Sequence, residues 1–182
     1  MKRYILTGAP GSGKTSLIRA LEMKGYCVVE EAATDVIAYE QDLGIAAPWQ
    51  FPDFIDKIVS LQKQRQWQAE EWRAGNGSRA LQFYDRSPFC TYALACYLGF
   101  EPSSLLIEEI ARIQENKVYE KPVFFIENLG FIKHTEARKI SFEESLKFEK
   151  IHNDVYTQFG YDCIKIASEP LSMRADNIIR AL

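Results

Sequence analysis

Between Gly8 and Thr15 the chain reads Gly-Ala-Pro-Gly-Ser-Gly-Lys-Thr, preceded by Arg3-Tyr-Ile-Leu-Thr7 and followed by Ser16 to Lys24. Glycines at 8, 11 and 13 permit left-handed dihedrals and a close approach that a Cβ would block, so backbone N–H groups can turn inward around an anion. The stretch before the loop reads as a strand. Leu17, Ile18 and Leu21 give the stretch after it one apolar helical face, and Gly25 is a suitable stop. That helix adds the positive end of its dipole at the loop. The expectation is a phosphate cradle made of Gly8, Ala9, Pro10, Gly11, Ser12, Gly13, Lys14, Thr15 and Ser16. Lys14 would reach the β- and γ-phosphates, and the Thr15 hydroxyl would be a ligand for Mg²⁺.

A length of 182 residues with 47% hydrophobic content suits one α/β domain, 1–182, with a full core. A net charge of −3 leaves no basic excess for a nucleic-acid footprint, so no nucleic-acid partner is expected. Cys27, Cys90, Cys96 and Cys163 are widely spaced and form no Cys-x-x-Cys, which points to buried reduced thiols rather than a zinc or redox site. The first strand begins within three residues of Met1, and no apolar run approaches membrane-spanning length. A cytoplasmic protein without a membrane partner is expected; oligomeric state has no signature.

After Gly25, Tyr26-Cys27-Val28-Val29 reads as a second buried parallel strand ending in Glu30-Glu31. Adjacent strand residues point opposite ways, so one of these two acids faces the ligand edge. Residues 34–79 form a helical insert. Phe51, Phe54, Ile55, Ile58 and Leu61 repeat at helical spacing after Pro52, Gln62 to Gln68 fall on a polar portion, and the helix is expected to run to about Arg73, where Gly75-Asn76-Gly77 stops it. Trp67 and Trp72 are expected to fill core or lid gaps.

Ala80 to Tyr84 leads into Asp85-Arg86-Ser87-Pro88, a strand ending in an acid and followed by a helix with Ser and Pro at its start. That is the shape of a Walker B element, with Asp85 poised near Mg²⁺ and Arg86 able to clamp phosphate oxygens. Ser103 or Ser104 caps the next helix, and Val123 to Ile126 forms a fourth strand ending in Glu127. Residues 128–139 carry Lys133, His134, Arg138 and Lys139 without periodicity, a candidate lid over phosphates. Ser141-Phe142-Glu143-Glu144 is a capping box that opens a helix with Phe148, Ile151, Val155 and Phe159 as its buried stripe. His152 is read as a polar residue of that helix, since no second His or Cys stands at metal spacing. Tyr161 to Ala167 and Leu171 to Leu182 supply a fifth strand and a closing helix.

With the phosphate loop and Asp85-Arg86 placed, the chain resembles the nucleoside and nucleotide kinase branch of P-loop proteins. More narrowly, it is similar to the AAA-type P-loop ATPase family related to the ribosylnicotinamide kinase domain. The resemblance implies a three-layer P-loop NTPase fold of class α/β, with a five-stranded parallel sheet in the order 2-3-1-4-5 and helices on both faces. In the ribosylnicotinamide kinase type an acid after strand two is followed by a small residue and an arginine near the acceptor. Here Glu31-Ala32-Ala33-Thr34 keeps the acid and the small residue and places Thr34 at the arginine. Asp85-Arg86 with Thr91 and Ala93 looks like the strand-three signature of thymidylate kinases, from which Cys90 and Leu94 depart. Arg138 and Lys133 fall where related kinases carry lid cations.

These readings lead to transfer of the γ-phosphoryl of Mg-ATP, or of GTP, to a nucleoside, nucleotide or similar small acceptor. Lys14 and Arg86, with Arg138 from the lid, would neutralise the moving phosphoryl. Thr15 and Asp85 would hold Mg²⁺, and Glu31, or alternatively Glu30, would orient or deprotonate the acceptor hydroxyl. A nucleotide-controlled binding module without an acceptor is the alternative. A guanine-reading Asn-Lys-x-Asp is absent at the end of strand four, where Glu127-Asn128-Leu129-Gly130 stands.

Overall fold

The computed structural model describes residues 1–76, 81–129 and 141–182, without the side chains of 72–76 and 142. Five strands, β1 (Lys2–Thr7), β2 (Cys27–Val29), β3 (Leu81–Asp85), β4 (Pro122–Ile126) and β5 (Asp162–Ile166), pair in parallel in the order β2-β3-β1-β4-β5. Leu6 is in register with Asp85 and Phe124, and Phe125 with Lys165, so β1, β3, β4 and β5 end along one edge.

The period of two along each strand divides the core into two layers. Tyr4, Leu6, Phe83, Phe124 and Ile126 face α1 (Lys14–Met23) and α7 (Leu171–Arg180), whose Leu17, Ile18, Leu21, Ala175 and Ile178 complete that cluster. Ile5, Val29, Tyr84 and Val123 face the opposite layer. Four helices supply most of it: α3 (Asp53–Asn76), α4 (Pro88–Leu98), α5 (Ser104–Glu115) and α6 (Phe142–Gln158). α2 (Ala33–Asp42) and a 3₁₀ turn at Pro48–Gln50 lead into α3, which packs against α4, α5 and β2.

Local signals set most helix ends. The Ser103 hydroxyl accepts from the Leu106 N–H at 3.2 Å, and Ser141 and Glu144 complete the expected capping box. Ser87 and Pro88 start α4 as read, but the Ser87 hydroxyl makes no cap bond and pairs instead with the Tyr156 hydroxyl.

Several expectations need correction. β2 is a three-residue edge strand, with Cys27 and Val28 only half-buried, because it lies at the border of the sheet. Gly75 lies inside α3, which continues through Asn76. Within the polar portion of that helix Gln66 is buried, accepting from Arg112 at 2.8 Å and donating to Glu70 at 3.0 Å. Trp67 is half-exposed, with the Lys63 ammonium 5.2 Å from its ring centre, instead of filling a gap. All four cysteines are free, with Cys90 buried and Cys96 exposed. Among the described residues no helix is long and apolar enough to cross a membrane.

Gly8 joins the sheet to the loop. Its φ is +135°, and a Cβ there would lie 2.3 Å from the carbonyl oxygen of Ile126 in β4. Gly8→Ala is expected to lower stability by about 3 kcal/mol or more through strain and overlap. Gly25→Ala, at φ +83° with nothing within 4 Å of the added Cβ, is expected to cost only about 1 kcal/mol. Urea midpoints at unchanged slope provide the comparison.

Candidate functional site

The phosphate loop follows β1 at the sheet edge where β3 and β4 also end. Gly11 and Gly13 have φ near +85°, and Gly13 is the N-cap of α1, so the first-turn N–H groups of that helix open toward the loop. The close approach that demands glycine here is to the protein itself: β4 at Gly8, and at Gly13 the Arg174 guanidinium, 3.1 Å from where a Cβ would stand. The Lys14 side chain is buried, its Nζ donating to the Gly8 carbonyl at 2.9 Å, the Ala9 carbonyl at 2.8 Å and the Ser12 hydroxyl at 3.2 Å. Burial, reinforced by Arg86 and opposed by Asp85, Cys90 and Glu31, pushes its pKa from an ordinary 10.5 down to about 7.

A cleft of about 310 Å³ opens beside the loop, lined among others by Lys14, Thr15, Glu31, Thr34, Asp85 and Arg86. Five of the predicted residues, Lys14, Thr15, Glu31, Asp85 and Arg86, are therefore neighbours although they come from three separate strand ends. Glu31 lies 3.8 Å from Arg86, carboxylate Oε1 to guanidinium Nε, whereas Glu30 is exposed. Thr34 donates to Glu31 Oε2 from its N–H at 3.0 Å and its hydroxyl at 2.6 Å. The residue that replaces the expected arginine thus fixes the direction of the acid. Arg65 in α3 secures the same end of β2, donating to the Glu31 carbonyl at 2.6 Å and to Asp35.

Arg86 sits at φ +72°, a left-handed conformation that costs an L residue about 1 kcal/mol or more. Its N–H donates to the Leu6 carbonyl at 3.0 Å, and its side chain meets the His152 imidazole at 3.2 Å. Burial opposes the Arg86 charge, but Cys90, Glu31 and Asp85 together hold its pKa above the ordinary value. His152 is the polar residue of α6 read from the sequence, but its full burial was not foreseen; burial first, then Arg86, pushes its pKa down to about 3. A break in the apolar stripe of α6 was the signal for it, since His152 and Tyr156 fill stripe positions between Phe148 and Phe159. Arg174 was likewise missed; it is buried under the loop and donates to the Glu127 carbonyl at 3.4 Å. Arg138, Lys133 and all of the candidate lid beyond Leu129 lie outside the described residues.

The donor set suits a magnesium triphosphate. The loop and the first turn of α1 offer N–H groups to an anion, and Lys14 and Arg86 offer charge. Thr15 and Asp85 present hard oxygen atoms on the same cleft, the donor type that Mg²⁺ prefers. Among the described residues no group of three His, Cys, Asp or Glu side chains forms an all-protein metal cage.

A family model described as an AAA domain matches residues 3–174. The chain belongs to this AAA-domain family. No curated protein sequence matches it. Among solved structures the AAA-domain chain is similar to M. mycoides deoxyadenosine kinase with products dCMP and a flexible dCDP bound, at TM-score 0.63 and 13% identity over 98% of this chain and 97% of that one. The dCTP complex of the same kinase gives 0.62 and 14% over 100% and 98%, and the dATP complex 0.56 and 12% over 98% of each chain. At these identities the likeness is one of fold, extending over the whole chain.

A Lys14 amine with a pKa near 7 is about nine-tenths neutral at about pH 8. A bound polyphosphate would raise that pKa back toward 10.5, so binding of magnesium triphosphate at about pH 8 is expected to take up close to one proton. Calorimetry in two buffers of different ionisation enthalpy measures the uptake, which Lys14→Met should abolish. In the free protein the unfolded chain binds the extra proton between about pH 7 and 10.5, so the Lys14 contribution to stability rises with pH across that window.

Proposed function

We propose that this protein is a small-molecule kinase that transfers the γ-phosphoryl group of Mg-ATP to a hydroxyl-bearing, nucleoside-like acceptor. The observation that carries this reading is the meeting of Lys14, Thr15, Glu31, Asp85 and Arg86 around one cleft. A mere nucleotide sensor needs the loop and its metal ligands. A second carboxylate aimed beside the phosphoryl-binding arginine is what an acceptor hydroxyl requires.

Charge favours a hydroxyl over a phosphate on the acceptor. The cations among the described residues lining the cleft are Lys14 and Arg86, both suited to the transferred group. The adjoining recess of about 270 Å³ sets Glu30, Glu31, Asp35 and Asp85 against one cation, Arg19. An acceptor phosphate there would face four carboxylates against the single Arg19 guanidinium. Ala33, Ile37 and Leu94 give the cleft an apolar wall on which a flat ring could lie. The fold likeness to deoxyadenosine kinase supports the same class of acceptor.

In this mechanism the loop amides and Lys14 hold the β- and γ-phosphates, and Thr15 and Asp85 would hold Mg²⁺. Bound there, Mg²⁺ would supply positive charge that offsets the negative charge of the phosphates. Glu31, oriented by Thr34, accepts the proton of the acceptor hydroxyl, and Arg86 stabilises the charge spread over the moving phosphoryl. The 34–79 insert covers the acceptor, and Arg138 is proposed as a further cation from the 128–139 segment, a candidate lid over a single 1–182 domain. Reduced cysteines and use of ATP fit a cytoplasmic setting.

Incubation with labelled ATP, Mg²⁺ and a panel of nucleosides, nucleotides and pyridine ribosides tests the proposal. Label is expected on a nucleoside-like hydroxyl, and transfer to none of them would favour the nucleotide-controlled binding module. Glu31→Gln should lower turnover by roughly 10²-fold or more while leaving Mg-ATP affinity unchanged. Lys14→Ala should weaken Mg-ATP binding by roughly tenfold to a hundredfold without a change in fold, read by calorimetry and circular dichroism.

A further inference from the structure

The turn Asp85-Arg86-Ser87 is gripped from outside the sheet by one helix. His152 and Tyr156 stand one turn apart on α6 and share a face. The His152 imidazole meets the Arg86 guanidinium, Nε2 to Nη1, at 3.2 Å. The Tyr156 hydroxyl lies 2.7 Å from the Ser87 hydroxyl and 3.1 Å from Cys90 Sγ, which is 3.3 Å from the Thr7 hydroxyl at the end of β1. Two consecutive residues of a turn with a left-handed backbone are thus tied to the same face of α6.

The chemistry of these contacts leaves His152 one protonation state. Its Nδ1 lies 2.9 Å from the Phe148 carbonyl oxygen, which can only accept, so Nδ1 carries a proton. Its Nε2 faces a guanidinium, which can only donate, so Nε2 presents a lone pair. A doubly protonated ring would set a second buried cation against Arg86. The Phe148 ring stands edge-on to the imidazole, at 4.2 Å between centroids and 84° between planes, and fixes its rotation.

We infer that His152 is the positioning residue for Arg86, a neutral acceptor that aims the guanidinium into the cleft without cancelling its charge. A carboxylate in its place would orient Arg86 equally well, but would compete with phosphate for the same cation. Imidazole supplies direction alone and leaves the charge available to the phosphoryl group. Glu31, whose Oε1 lies 3.8 Å from Arg86 Nε, is the looser partner that an incoming substrate can displace. His152 touches no substrate in this arrangement and acts only through Arg86.

The inference rests on the proposed phosphoryl site, and two measurements separate them. Calorimetry with magnesium ATP compares wild type, Arg86→Ala, His152→Leu, His152→Gln and the double variant Arg86→Ala/His152→Leu, each checked by circular dichroism. Arg86→Ala and His152→Leu are each expected to weaken binding by roughly tenfold. His152→Gln, whose amide oxygen can accept from Arg86, should recover most of the loss, and the double variant should be no weaker than Arg86→Ala alone. Additive losses, or a His152→Leu protein that binds like wild type beside a weakened Arg86→Ala, would overturn the inference. Nitrogen NMR of the wild-type imidazole needs no ligand and no variant that folds. Expected is a neutral ring protonated at Nδ1 down to at least about pH 5, and a ring protonated at Nε2 or titrating near the ordinary value of about 6.5 overturns it. Absence of magnesium ATP binding in the wild type would sink the phosphoryl site, and the NMR result would then decide the His152 geometry by itself.

Discussion

Gly8 is held within 2.3 Å, Cβ position to oxygen, of the Ile126 carbonyl, and the site depends on that approach. β1 and β4 are hydrogen-bonded neighbours, and the chain must turn out of β1 at the height where β4 ends. A side chain at this position would push the loop off the sheet edge, and with it Lys14, Thr15 and the start of α1. Because every strand is parallel, the same edge receives the ends of β2 and β3, carrying Glu31 and Asp85-Arg86. The site is thus a consequence of strand direction combined with one close backbone contact.

That edge concentrates charge that folding alone would disfavour. Lys14 and Asp85 are buried and Arg86 and Glu31 largely so, and burial of ions costs several kcal/mol each unless partners compensate. Compensation here is local and uneven. Lys14 turns back onto the carbonyls of its own loop with its pKa depressed, whereas Arg86 stays charged between Glu31 and a neutral imidazole. Cations arranged this way gain most when an anion with several oxygens enters, which is how a site spends fold stability on binding.

Helices on both faces of the sheet have structural work that also reaches the site. α3 sends Arg65 to the carbonyl end of β2 and so fixes where Glu31 begins, and α2 starts with Thr34 holding that carboxylate. α6 reaches the Arg86 turn from its far side, and α7 places Arg174 beneath Gly13. The cleft is framed by elements distant in sequence, so small displacements of α3 or α6 would be felt at the acid and the arginine.

The phosphate loop, the helix caps at Ser103 and Ser141 and the parallel strands were legible in the residues, because each is written in local pattern: glycine spacing, a hydroxyl before a helical run, short apolar stretches ending in acids. Asp85 and Arg86 were legible as a strand end followed by a helix start. Other features follow from packing between elements that no local window contains. That Glu31 and not Glu30 lies beside Arg86 follows from how the chain leaves a three-residue edge strand and from Thr34 bonding back to Glu31. The burial of Gln66, the exposure of Trp67, the contact of His152 with Arg86 and the seat of Arg174 under the loop were set when helices met the sheet. A residue's neighbours across a sheet or between helices are fixed by three-dimensional packing, whereas periodicity reports only which face of its own element it occupies.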